Sequence, residues 1–202
     1  MTLQRGDCAD SVLPVAVCEL LCDGLPQAAS LDQALGLLNQ ARIMLLGEGM
    51  LTVNLDVTTP QDPPGEVRLR RIWTSEAGAY PVGGGKTKTL TPWSRQLLRD
   101  ARVFVGEGDD ELARVFDDHA RIAALDLHAV VNVPIARDGR CVATFNVLGR
   151  RAQWLARELA AIRLLALLAA PQVLAAAQVL AAAQVLATAQ VLASAAPLQT
   201  AQ

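Results

Sequence analysis

The apolar pattern of the chain is that of an α+β domain, and three observations carry that assignment. Leu31, Ala34, Leu35, Leu38, Ala41 and Leu45 recur at the spacing of one helix face. Leu51, Val53, Leu55 and Val57 then alternate with Thr52, Asn54 and Asp56, the period of a strand with two unlike faces. Further on, Asp138-Gly139 stands between two apolar runs as a hairpin turn. Helices therefore bracket strands that pair with their sequence neighbours.

The first helix is expected over residues 12–24, with Ser11 as N-cap and Pro14 in the first turn, where its missing N–H matters least. Ser30-Leu31-Asp32-Gln33 has the form of a capping box and opens the second helix, which Gly47 stops. A strand over 51–57 leads through the turn-rich segment 58–65 to a second strand. There Val67 and Leu69 alternate with Arg68 and Arg70 until Arg71-Ile72-Trp73 breaks the pattern. Residues 74–92 are rich in glycine and proline and read as an irregular loop. A short helix (92–100), a short strand (102–105) and a long helix (110–124) follow. Two strands, 128–135 and 141–148, flank the Asp-Gly turn, and a last helix begins near Gln153.

With 202 residues the chain suits one core domain, here 31–170, preceded by a helical segment (1–30) and followed by a tail (171–202). Eighteen basic and 20 acidic side chains leave a net charge of -2, so no global field draws it to nucleic acid or anionic lipid. Cys8, Cys18, Cys22 and Cys141 follow no disulfide framework, and the N-terminus lacks the marks of a secretory leader; the expected location is the reducing cytoplasm. The tail repeats QVLAAA, QVLAAA, QVLATA and QVLASA. On a helix this six-residue period advances by ~240°, which spreads Val-Leu and Gln around the axis and leaves no seam. Glutamine at 172, 178, 184 and 190 argues against membrane insertion. A frayed alanine-rich helix or disorder is the expectation, with membrane association or self-association as the alternatives.

Several stretches together resemble a family. They are Leu69-Arg70-Arg71-Ile72-Trp73-Thr74-Ser75, Tyr80 to Lys86, Thr91-Pro92-Trp93, Val131-Asn132-Val133-Pro134, Gly139, and Thr144-Phe145-Asn146-Val147-Leu148. With the order of elements, they resemble a proteobacterial group of stand-alone GAF-like proteins over residues 31–170. The resemblance implies an antiparallel sheet with terminal helices on one face and a ligand pocket, covered by loops and a helix, on the other. It also implies a small-molecule-binding regulatory protein and a homodimer through those helices. With no output domain read in the sequence, such a sensor is expected to act through a partner effector protein or to be a degenerate copy. GAF domains bind cyclic nucleotides, tetrapyrroles and metabolites, so the ligand is not specified and no cofactor is named. A methionine sulfoxide reductase of this fold carries a cysteine where this chain has His119 to Ala124, and the Cys-His pair that anchors a bilin is also missing. The signature of cyclic-nucleotide binders cannot be placed.

Candidate binding residues follow from the strand faces. If helices cover the apolar face, Asn54, Asn132, Thr144 and Asn146 project to the other, to orient a ligand or to satisfy nearby loops. Arg71 should share a face with Val67, Leu69 and Trp73 unless a bulge intervenes. It needs an anion, either Glu76 or Asp117 or an acidic group on the ligand. Gly83-Gly84-Gly85-Lys86 lacks P-loop spacing, since Tyr80 stands where the first glycine belongs. Tyr80, Lys86 and Trp93 are read instead as a lid over the pocket, against a surface loop pinned into the core. Cys18 and Cys22, one turn apart, read as packing residues, and no metal set is present. His119 and His128 have no nucleophile beside them, so no catalytic residue is assigned. Two rival readings stay open: an enzyme using the same pocket through Asp117, His119 and Lys86, and a ligand-free protein-interaction module.

Overall fold

The computed structural model describes residues 13–89 and 91–195. Its elements are α1 (Val15–Gly24), a 3-10 turn (Leu25–Gln27), α2 (Leu31–Leu46), β1 (Gly49–Asp56), β2 (Glu66–Thr74) and β3 (Gly85–Thr89). Then come α3 (Pro92–Ser94) running into a π turn (Arg95–Arg99), β4 (Phe104–Glu107), α4 (Asp109–Val115), α5 (His119–Ala124), β5 (Ala129–Arg137), β6 (Arg140–Gly149) and α6 (Ala156–Ala195). The six strands form one sheet in the order β3-β2-β1-β6-β5-β4, with every neighbouring pair antiparallel.

Two cores lie back to back across this sheet. On one face Leu51, Val53 and Leu55 of β1, Val131 and Val133 of β5 and Phe145 and Val147 of β6 pack against α1, α2 and α6. On the other, Met50, Leu69, Val130 and Leu148 meet Tyr80, Trp93, Leu97, Phe116 and Ile122 from the loops and short helices. The α+β class, with terminal helices on one face, is the one expected.

The element boundaries differ in instructive places. Pro14 is the N-cap of α1, with an extended backbone (φ -60°, ψ 151°), instead of lying in its first turn, and its carbonyl accepts from the N–H groups of Val17 and Cys18. Ser11 and Val12 lie outside the described residues. Ser30 caps α2 through its hydroxyl, which accepts from the Gln33 N–H, while the Gln33 side chain reaches back to the N–H of Ala29. Gly47, at φ 77°, ends that helix. Within the stretch read as irregular, residues 85–89 form the edge strand β3. Its Lys-Thr alternation carries no apolar signal, as befits an edge protected by charge. The helix expected over 110–124 is two, because Phe116 takes an extended backbone to bury its ring. The turn Asp138-Gly139 has positive φ at both residues, the type I′ geometry of a two-residue hairpin.

The last helix starts at Ala156, not near Gln153. The buried Glu158 accepts from the Leu155 N–H and pairs with Arg151, which fixes that start. It then runs without a break through Pro171 and the six-residue repeats. Ile162, Leu165, Ala169 and Val173 are in the core, with Leu174, Ala177 and Leu180 packed against it. By length and composition α6 suffices to cross a membrane over Ala156–Ala187, yet its first half is seated on the sheet.

Candidate functional site

The face away from the terminal helices holds a cavity of about 70 Å³. Its floor is the sheet, where Thr52 and Asn54 of β1, Asn132 of β5 and Thr144 and Asn146 of β6 stand together. Strand alternation put these residues on one face, and registers Asn54↔Thr144, Thr52↔Asn146 and Asn132↔Asn146 bring them side by side. Met50, Leu69, Phe116, Ile122, Val130 and Leu148 supply apolar wall.

The amides are bonded to one another. Trp93 Nε1–H donates to Asn132 Oδ1 at 2.9 Å, and Asn132 Nδ2 donates to Asn146 Oδ1 at 2.9 Å. Asn146 Nδ2 then reaches Thr144 Oγ1 at 3.1 Å and Thr52 Oγ1 at 3.3 Å. A relay of this kind leaves no buried amide without a partner, and it fixes Trp93 over the floor. Asn54 lines the same wall.

Opposite the amides, the charged groups are only partly matched. Asp118 Oδ2 accepts from Lys86 Nζ at 2.5 Å and from the Tyr80 hydroxyl at 3.1 Å, whereas Asp118 Oδ1 is buried without a partner. Burial works to raise the Asp118 carboxyl, but the hydrogen bond and charge of Lys86, with the Tyr80 bond, outweigh it and hold it below the usual carboxylate value. Burial lowers Lys86, against the pull of Asp118. The Tyr80 hydroxyl is pushed up, first by burial and then by the neighbouring Asp118 charge. Arg71 is buried, and its Nη1 donates to the Pro81 carbonyl at 3.2 Å while its Nε–H has no partner. Its guanidinium also lies 4.9 Å from the centre of the Tyr80 ring, a cation-π contact. No ion pair joins Arg71 to any carboxylate among the described residues, Glu76 and Asp117 included. Desolvation accordingly lowers it, opposed by the charges of Tyr80 and Asp118.

Of the residues expected to meet at a site, Asn54, Arg71, Tyr80, Lys86, Trp93, Asn132 and Asn146 line this one cavity. Trp73 and Asp117 do not. A bulge in β2 leaves Ile72 unpaired between Val53↔Trp73 and Asn54↔Arg71 and turns Trp73 to the helix face. There its Nε1–H donates to Asp32 on α2 at 2.9 Å. Asp117 is exposed and pairs with Lys88, and its neighbour Asp118, brought inward by the break at Phe116, takes the inner place. The segment 81–84 is zipped to the sheet. Arg71 N–H donates to Gly84 O at 2.9 Å and Arg71 O accepts from Gly83 N–H at 2.8 Å, so the loop is pinned, with Gly83 at φ 83° to make the turn. His119 is exposed and lies outside the cavity lining. Cys18 is half-buried and Cys22 exposed, so only the first packs to any extent.

No family model and no curated protein matches the chain in sequence. Solved structures do match in shape. The GAF domain of a phosphoenolpyruvate-protein phosphotransferase from Coxiella burnetii aligns with a TM-score of 0.57 at 17% identity, over 82% of this chain and 96% of that one. The GAF domain/HD domain protein from Geobacter sulfurreducens aligns at 0.52 and 16% identity, over 70% and 91%. The chromophore-binding domain of a bacteriophytochrome from R. palustris aligns at 0.53 and 14% identity over 78% of this chain, which spans 60% of that domain's length. The antiparallel six-stranded sheet, with terminal helices on one face and a covered cavity on the other, is the GAF fold.

Proposed function

We propose that the chain is a small-molecule-binding regulatory domain whose ligand sits in the cavity between the amide floor and Arg71, Tyr80, Lys86 and Trp93. The observation that supports this most is the pair of buried, unmatched groups, Arg71 Nε–H and Asp118 Oδ1, at one cavity. Buried polar groups are almost always satisfied, so two orphans of opposite hydrogen-bonding sense beside one hollow mark a place for something to complete. The output passes to a partner effector protein, and the working form is a cytoplasmic homodimer that does not insert in a membrane. The exposed Val15, Leu167 and Val179 on α1 and α6 supply the apolar surface for that dimer.

A second reading, the ligand-free interaction module, is favoured by one observation. A hollow of about 70 Å³ is well below the roughly 300–1,000 Å³ of most ligand pockets, and the amides already satisfy each other. Native mass spectrometry of the chain purified without denaturation separates the two. A bound small molecule, or saturable thermal stabilisation by a compound, supports the sensor reading. A bare mass with no shift from nucleotides, amino acids, hydroxy acids or aromatic acids establishes the packed module.

A further inference from the structure

The same cavity constrains the chemistry of its occupant, an inference that rests on the sensor reading. The charged side chains that line it are Arg71, Lys86, Lys88 and Asp118; Lys88 is paired with Asp117, which stands outside the lining, and Arg121, though 5.7 Å from the centre of the Tyr80 ring, does not line the cavity, so two positive charges and one negative remain. The sum is one positive charge, which one monoanion neutralises. Arg71 is the group that lacks a counter-ion, because Lys86 has Asp118. A carboxylate suits a guanidinium whose Nη1 is engaged by Pro81 and whose Nε–H is free, since the Nε side of the fork still offers bidentate geometry.

Asp118 Oδ1 makes the opposite demand. It is an acceptor and needs a donor, and a neutral hydroxyl supplies one without leaving the cavity charged, whereas an ammonium would leave the positive charge uncancelled. The volume sets the rest. About 70 Å³, walled by Met50, Phe116 and Ile122, admits a few heavy atoms and shuts out a nucleotide or a tetrapyrrole. We infer that the cavity binds a small hydroxy-monocarboxylate, its carboxylate on Arg71 and its hydroxyl donating to Asp118.

The test is thermal shift and calorimetry on the full chain with glycolate, L-lactate, L-lactamide, propionate, L-alanine and cyclic GMP. Glycolate or L-lactate should stabilise saturably, with L-lactamide, propionate and L-alanine at least tenfold weaker and cyclic GMP inactive. R71M should abolish lactate binding, R71K should weaken it about tenfold or more through loss of the fork, and D118N should bring lactate and propionate close to equal. Circular dichroism checks that each variant folds; if R71M does not, the lactate-to-lactamide and lactate-to-alanine ratios on the unmodified chain decide. Equal binding of L-lactamide, or tighter binding of L-alanine, overturns the inference and leaves the sensor reading standing. So does cyclic GMP binding in place of the acids. No shift from any of the six, with a bare mass by native mass spectrometry, overturns both.

Discussion

Asn146 shows how a single side chain sets the floor of the cavity. It accepts from Asn132 and donates to the threonines on either side, so removing it strands the Asn132 amide in a buried place. N146A is expected to cost about 1–3 kcal/mol in urea unfolding with the m-value unchanged, the penalty of a buried donor without a partner. W73F gives up the bond to Asp32 on the far face; it should cost about 1 kcal/mol and leave ligand binding unaltered. Asp118 contributes through pH. Its folded-state carboxyl lies below 3.8, so its stabilising share is complete above that value and is lost as pH falls through the lower, folded value. D118N should remove that part of the acid limb, read as melting temperature between pH 5 and pH 2. Cysteine reactivity divides in the same way: native-state iodoacetamide should label exposed Cys22 and spare Cys141, which is buried and whose thiol is pushed up to about 12. The amides were legible in the sequence because strand period alone assigns a face. The face of Trp73 is not legible because a bulge adds one residue without any mark in composition, and the sequence favours Asp117 over Asp118 because nothing in its apolar period marks the break at Phe116.

At the scale of elements, strong period made the difference. α2, β1, β5 and β6 carry clear apolar repeats and fell within a few residues of their expected bounds, whereas β3 is all Gly, Lys and Thr and is held only by pairing to β2. Its existence depends on a neighbour, which one strand's own residues cannot reveal. α6 is the opposite case, since alanine favours helix but nothing in a six-residue period says where the chain stops packing. Val173 is fully buried and Leu174, Ala177 and Leu180 lie against the core, so packing continues past residue 170. A chain ending at Ala170 is expected to melt lower than one ending at Ala187, by the loss of one buried valine and its neighbours, about 2 kcal/mol or more. Pro171 interrupts the helical ladder and denies a partner to the carbonyl of Leu167, which is exposed enough for water to take it. P171A should therefore stabilise the chain, by up to about 3 kcal/mol, in the same unfolding assay.

For the molecule as a whole, the sheet is a partition with a packed core on each side, and the two sides were unequal in the sequence. Helix and strand patterns agree on the helix-covered face, while the cavity face is closed by loops, short helices and polar contacts that join residues far apart in the chain, the Lys86–Asp118 ion pair and the hydrogen bond from Tyr80 to Asp118 among them. The long helix adds a mechanical property. Because α6 is one continuous rod through its repeats, each added or deleted unit of six residues shifts its far end by about 9 Å and turns it by about 240°, and only three units together complete a whole number of turns. The repeat count thus works as a combined spacer and rotary index: a change of one unit re-aims the face presented at the tip, and a change of three restores the aim about 27 Å along the axis.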